Sequence, residues 1–153
     1  MLQAQKKIVV NEVPIPEPGE NQFLVKMASA SLCHSDMMAI EAPRTEPVTI
    51  GHEGVGVVTS KIHPSAAGKG FKEGDAVGFL YIIGCCFDCE GCQIHNLSCS
   101  SGKQRLQGFT ADGFFAEYAV VDYHNAVILP NNLNIKTAAP IFCAGITGEN
   151  CFP

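Results

Sequence analysis

Five of the eight cysteines of this 153-residue chain fall between Cys85 and Cys99. Cys86, Cys89 and Cys92 are each two residues apart, and Cys99 follows after six more. A Cys-x2-Cys pair on a tight turn aims two thiolates at one point. A second such step and a distal cysteine complete the tetrahedron of a structural zinc. Disulfides and incidental buried cysteines are the competing uses of these residues. Disulfides need an oxidising compartment, and free cysteines rarely cluster so tightly. The opening Met1-Leu2-Gln3-Ala4-Gln5-Lys6-Lys7 turns basic where an export signal needs an apolar core. A cytoplasmic, reduced chain is expected, which favours metal over disulfide.

A second, scattered set could also do metal chemistry. Cys33 lies in Cys33-His34-Ser35-Asp36, His52 in Gly51-His52-Glu53-Gly54, and Cys143 in Phe142-Cys143-Ala144-Gly145. Two sulfurs and one imidazole leave a fourth position free for water or substrate, the pattern of a catalytic zinc. Spacing this wide leaves a plainer reading equally open: two buried cysteines and a satisfied histidine. Ser35 and Asp36 read first as caps of the helical turn that follows. His34 could be a surface residue, and Glu53 a solvated carboxylate, although its neighbours are valines and glycines. His63, His95 and His124 are expected on the surface. Cys85 and Cys151 match no ligand position.

The elements that must hold these residues are short. Lys6–Val10 is β-rich, and the prolines of 11–20 make a connecting loop. Gln22–Leu32 alternates as a strand, Ser35–Ile40 gives a helical turn, and Ala42–Pro47 breaks it. Val48–Ser60 is a valine-rich strand whose glycines allow close approach. His63–Gly74 is a loop, Asp75–Ile83 a strand feeding the cysteines, and 98–111 irregular. Phe114–Val121 and Asn125–Leu129 are further strands. Leu133–Cys143 looks like a helix start, with Asn132 or Asn134 as cap. Many short strands and glycine turns with few short helices predict a mainly β fold, a partly open β-barrel. The net charge of −5 and pI near 5.4 argue against nucleic acid or an anionic membrane as partner. The longest apolar run, Ala76 to Cys86, is too short to span a bilayer.

Taken together, Val13-Pro14-Ile15-Pro16-Glu17-Pro18-Gly19, Cys33-His34-Ser35-Asp36, Gly51–Val58, Gly74-Asp75-Ala76-Val77, the cysteine cluster, Asp112–Tyr118 and Ala139–Thr147 follow one another in an order that resembles the zinc-dependent alcohol dehydrogenases of the medium-chain dehydrogenase/reductase superfamily. The resemblance implies a GroES-like catalytic domain with two zinc sites. Cys33, His52 and Cys143 would hold the catalytic zinc, with Glu53 beside it as an occasional ligand. Asp36 would fix the His52 tautomer, Ser35 would start a proton relay, and His34 would face the cofactor pyrophosphate. Cys86, Cys89, Cys92 and Cys99 would hold the structural zinc, although the family usually places seven residues before the fourth cysteine. The cofactor implied is NAD or NADP, the substrate a small alcohol or aldehyde, and the full-length parent a homo-oligomer.

The resemblance also sets expectations about what the chain omits. Residues 1–147 match the catalytic domain, and 148–153 form an atypical tail in which Gly148 and Pro153 disfavour helix. No Gly-x-Gly-x-x-Gly turn of a Rossmann domain occurs. The chain is therefore expected to be a truncated domain, inactive alone. The alternative is a non-enzymatic zinc-binding module that acts only through a full-length partner subunit.

Overall fold

The computed structural model describes residues 8–43, 46–94, 98–149 and 151. Its frame is a five-stranded antiparallel sheet. The strands are β1 (Gln22–Ser31), β2 (Glu53–Ile62), β3 (Ala76–Phe79), β6 (Tyr118–Asp122) and β7 (Ala126–Ile128), in spatial order β6-β1-β2-β3-β7. A two-stranded sheet pairs β4 (Ile82–Ile83) with β5 (Arg105–Leu106). The helices are short: α1 (His34–Glu41), α2 (Glu90–Ile94) and α3 (Ala144–Glu149). The mainly β, partly open architecture expected from the sequence is the one observed.

Alternation along β1 and its partners gives the core. Phe23, Val25, Val58, Val77, Phe79, Phe114, Ala119 and Val121 form one buried cluster, drawn from β1, β2, β3 and β6 of the five-stranded sheet and from Phe114. A second cluster of Val55, Leu129, Ala138, Ala139 and Phe142 fastens the C-terminal segment to the sheet. Glycine makes the strands fit. A Cβ on Gly56 would lie 2.2 Å from the Val25 side chain and 2.5 Å from the Lys26 carbonyl oxygen, so β1 and β2 could not close at that point with any other residue.

Several boundaries differ from the sequence reading. Residues 8–10 are not a strand, and Lys6 and Lys7 lie outside the described residues. The strand expected from Val48 begins only at Glu53. Gly51 has φ of 96°, and residues 49–51 instead accept backbone hydrogen bonds from Gly113, Phe114 and Phe115. That pairing also consumes the start of the predicted Phe114–Val121 strand. The predicted Asp75–Ile83 strand is split. Its first part pairs with β7 in the large sheet, and Ile82–Ile83 crosses to β5. Asn125 holds the crossing, its Nδ2 donating to the Ile82 carbonyl at 2.6 Å.

No helix runs over 133–143. Asn134 Oδ1 accepts from the Lys136 amide at 3.0 Å, a side-chain turn that competes with helix, and a 3-10 turn over Ala139–Phe142 follows. The expected non-helical tail is corrected in part as well, because α3 runs through Gly148 to Glu149. Phe152 and Pro153 lie outside the described residues.

Candidate metal centres

The first centre is built from element ends. Ser31 at the end of β1 pairs with Glu53 at the start of β2. That register places Cys33, just past β1, beside His52, just before β2. Cys33 is the N-cap of α1, in extended conformation. Cys143 arrives from the other side, at the C-cap of the 3-10 turn. Its position is set by Phe142, whose ring tip lies 1.8 Å from where a Cβ on Gly78 would be.

These elements bring the scattered residues together. One donor atom from each of Cys33, His52, Glu53 and Cys143 lies within 4.8 Å of the others. The two sulfurs are 4.0 Å apart, close to the edge of about 3.8 Å that a tetrahedral zinc with bonds of about 2.3 Å to sulfur would give. His52 is 1% exposed and its Nδ1 lies 2.8 Å from Asp36 Oδ1. The carboxylate accepts from Nδ1–H, which leaves the lone pair on Nε2. That nitrogen is buried and has no hydrogen-bond partner. A buried imidazole nitrogen left unmatched costs stability unless something occupies it, and a metal ion held by the two thiols would.

Glu53 is buried rather than solvated. One carboxylate oxygen accepts a short hydrogen bond from Ser31 Oγ, and the other accepts from the Ala144 amide at 3.4 Å. Burial first, then the charges of Cys33 and Glu53, push the Cys143 thiol up to about 12. Burial, then Cys143 and Cys33, also raises the Tyr81 phenol. Both shifts report anionic groups crowded without a compensating cation. The donor set, the orphaned nitrogen and the charge deficit together fit a divalent metal.

Asp36 performs the two tasks that the sequence left open. Its other oxygen accepts from the Cys33 amide at 2.8 Å, capping α1. Ser35 lines a cavity of about 520 Å³ beside the centre, with Tyr81 and Phe109. His34 is exposed on the first turn of α1. The sequence reading missed Ser31, Tyr81 and Phe109. The rings of Tyr81 and Phe109 stand 5.3 and 5.0 Å from that of His52. Only the Ser31–Glu53 strand register could have signalled the first, and nothing local signals the other two.

The second centre is local. The donor atoms of Cys86, Cys89, Cys92 and Cys99 also lie within 4.8 Å of one another, so the six-residue spacer before Cys99 closes on the cluster. Phe87, at φ 57°, turns the chain between the first two ligand positions. Gly91 lets α2 press onto the segment carrying Cys99, because a Cβ there would lie 1.9 Å from the Ser98 carbonyl oxygen. Hydrogen bonds from Ser100 hold the Cys89 thiol down to about 5, and those of Ser101 hold Cys99 down to about 7. Burial and then Cys99 push Cys92 up to about 12. Four thiols leave no position for a substrate. All eight cysteines are free of disulfides.

This lobe is clasped to the sheet through His124, which is exposed as the sequence led one to expect. The Phe87 ring stacks on His124 at 3.8 Å, and His124 stacks on Tyr123 at 3.8 Å. The His124 Nδ1 meets Asp122 Oδ1 at 2.8 Å. His63 is likewise engaged: its Nδ1 lies 2.9 Å from Ser65 Oγ, which accepts from the Asn21 amide. His95 lies outside the described residues.

Among the described residues no helix is long and apolar enough to cross a membrane. Residues 19–131 match the alcohol dehydrogenase GroES-like domain family. Alcohol dehydrogenase 1 of Emericella nidulans is 35% identical over 148 residues, covering 92% of this chain and 40% of that protein. An alcohol dehydrogenase of Rhizobium meliloti is 37% identical over 146 residues, covering 93% of this chain and 42% of that protein. Among solved structures, galactitol-1-phosphate dehydrogenase from Escherichia coli superposes with a TM-score of 0.77 at 32% identity, over 91% of this chain and 40% of that one. The chain spans about 40% of the length of the curated relatives it matches.

Proposed function

The chain belongs to the alcohol dehydrogenase GroES-like domain family, and from that premise we propose that it is the zinc-binding catalytic domain of a dehydrogenase. The whole protein would oxidise an alcohol to an aldehyde or ketone with NAD or NADP, in the cytoplasm and as a homo-oligomer. The observation that carries this reading is the buried, partnerless Nε2 of His52, on a residue that shares a cluster of donor atoms within 4.8 Å of one another with Cys33, Cys143 and Glu53.

Cys33, His52 and Cys143 would hold the catalytic zinc, with Glu53 as neighbour or occasional fourth ligand. Held there, zinc would supply a Lewis acid that lowers the pKa of an alcohol hydroxyl. The chain's own residues do the rest. Asp36 holds His52 in the tautomer with a free Nε2. Ser35, on the cavity wall one helical residue from Asp36, would accept the alcohol proton and pass it outward through His34 or solvent. His34, exposed on α1, would meet the cofactor pyrophosphate. Glu53, tied to Ser31 and the Ala144 amide, fixes the mouth of β2 against the turn that carries Cys143. Cys86, Cys89, Cys92 and Cys99 would hold the structural zinc and so lock the lobe that Phe87 docks on His124.

The test is metal content on the purified chain and on single variants. Two zinc ions per chain are expected, falling to one in His52→Ala and to one in Cys89→Ser. Zinc near zero would sink both assignments. Retention of the second site alone, with none lost in His52→Ala, would favour the non-enzymatic zinc module instead.

A further inference from the structure

Glu53 brings a third negative charge to the first centre, and what holds that charge in place bears on the free metal position; the inference rests on the dehydrogenase reading above. Glu53 is 2% exposed. A carboxylate buried so deeply must find hydrogen-bond donors or a cation. Its donors come from two sides. Ser31, the last residue of β1, is its cross-strand partner, so the two side chains share one face of the sheet. Ser31 Oγ donates to Glu53 Oε2. The Ala144 amide donates to Oε1 at 3.4 Å. In the metal-free chain the Cys143 thiol is a third hydrogen-bond partner of this carboxylate.

Metal would change that set. Cys143 must give up its proton to ligate, so it no longer donates to Glu53. The thiolates of Cys33 and Cys143 then neutralise a divalent ion. Glu53 remains as a further anion whose donor atom shares the same cluster, within 4.8 Å of the others. Two neutral donors compete with the metal for it. The amide contact is long for an N–H···O bond, which leaves the Ser31 hydroxyl as the stronger hold. While that hydroxyl engages Oε2, the carboxylate is satisfied where it stands. Without it, a buried carboxylate with one long hydrogen bond gains most by turning onto the metal.

We infer that Ser31 is a positioning residue of the first centre: its hydroxyl keeps Glu53 off the metal and so keeps the fourth coordination position open.

The chain loaded with cobalt(II) tests this without turnover. Imidazole probes the open position while the cobalt d–d absorption is read. The four-cysteine centre has no free position and gives a constant background. Ser31→Ala should change the d–d spectrum before any addition. It should also weaken imidazole binding by about tenfold or more, the scale on which groups outside the ligand set act on a metal site. Ser31→Thr restores the hydroxyl and should behave as wild type does. Ser31→Ala combined with Glu53→Gln should recover imidazole binding, because the carboxylate that closes the position is gone. Glu53→Gln alone should bind imidazole as wild type does. A Ser31→Ala chain with the wild-type spectrum and imidazole affinity overturns the inference and leaves Ser31 a structural staple between β1 and β2. So does tighter imidazole binding by Glu53→Gln, which would mean that Glu53 already ligates in wild type. Either result leaves the metal reading standing. Failure of the first centre to take up cobalt overturns the dehydrogenase reading and this inference with it.

Discussion

Asp36 Oδ1 lies 2.8 Å from His52 Nδ1 at the floor of the first centre, and both side chains are essentially inaccessible. The second Asp36 oxygen accepts from the Cys33 amide. One carboxylate therefore orients a candidate nitrogen ligand and caps the helix that begins at a candidate sulfur ligand. Removing it disturbs both at once.

Asp36→Ala should weaken metal binding at the first centre by about 10- to 100-fold, the usual effect of losing a group that orients a ligating histidine. The four-cysteine centre should keep its affinity. Chelator competition on each centre separately checks this. Equal weakening of both centres would show a global folding defect instead.

Phe142 and Gly78 set the position of Cys143 in the same way. A methyl at residue 78 would overlap the Phe142 ring. Gly78→Ala should cost about 1–3 kcal/mol by overpacking and should lower metal content at the first centre, because Cys143 follows the displaced ring. Thermal unfolding and metal analysis read the two effects. Wild-type values in both would contradict the assigned packing.

What the sequence made legible follows from how local each signal is. The cysteine cluster could be read because three of its four candidate ligands lie on one turn and one short helix and the fourth follows a few residues later, and the structure brings their donor atoms together as the spacing implies. Cys33, His52 and Cys143 could not be joined from spacing, since their meeting depends on the β1–β2 register and on Phe142 seated over Gly78. Asp36 was legible as a cap and its second bond was not, because His52 reaches it only through tertiary packing. The strand expected from Val48 and the helix expected over 133–143 both failed where backbone groups found other partners: Gly51 with Phe114, and Lys136 with the Asn134 side chain. His124 was invisible as a clasp because neither Phe87 nor Asp122 announces stacking or pairing.

Cys89→Ser should empty the second centre and lower the melting temperature together, because structural metal binding is folding energy. The first centre should still load. An unchanged melting curve with full metal content would remove Cys89 from the ligand set.

The pH dependence of metal uptake should expose Cys143. With its thiol pushed up to about 12, it is protonated at neutral pH and must release that proton to bind metal. Affinity at the first centre should therefore fall about tenfold for each unit the pH is lowered through the neutral range, for this proton alone. In the metal-free fold the sign reverses. A raised thiol pKa contributes stability that is complete below the unfolded value near 9.0 and is lost as pH rises through about 12. Calorimetric metal titrations in buffers of different ionisation enthalpy count the protons released. Uptake at the first centre with no proton release would contradict the Cys143 assignment.

The central claim is that His52 Nε2 is a metal ligand and not a satisfied core histidine. Cobalt(II) substitution of the His52→Ala chain measures it most directly. The account predicts that wild type takes up two cobalt ions per chain and that His52→Ala retains one, with only the tetrathiolate spectrum remaining. Two cobalt ions bound by His52→Ala with an unaltered spectrum would contradict it.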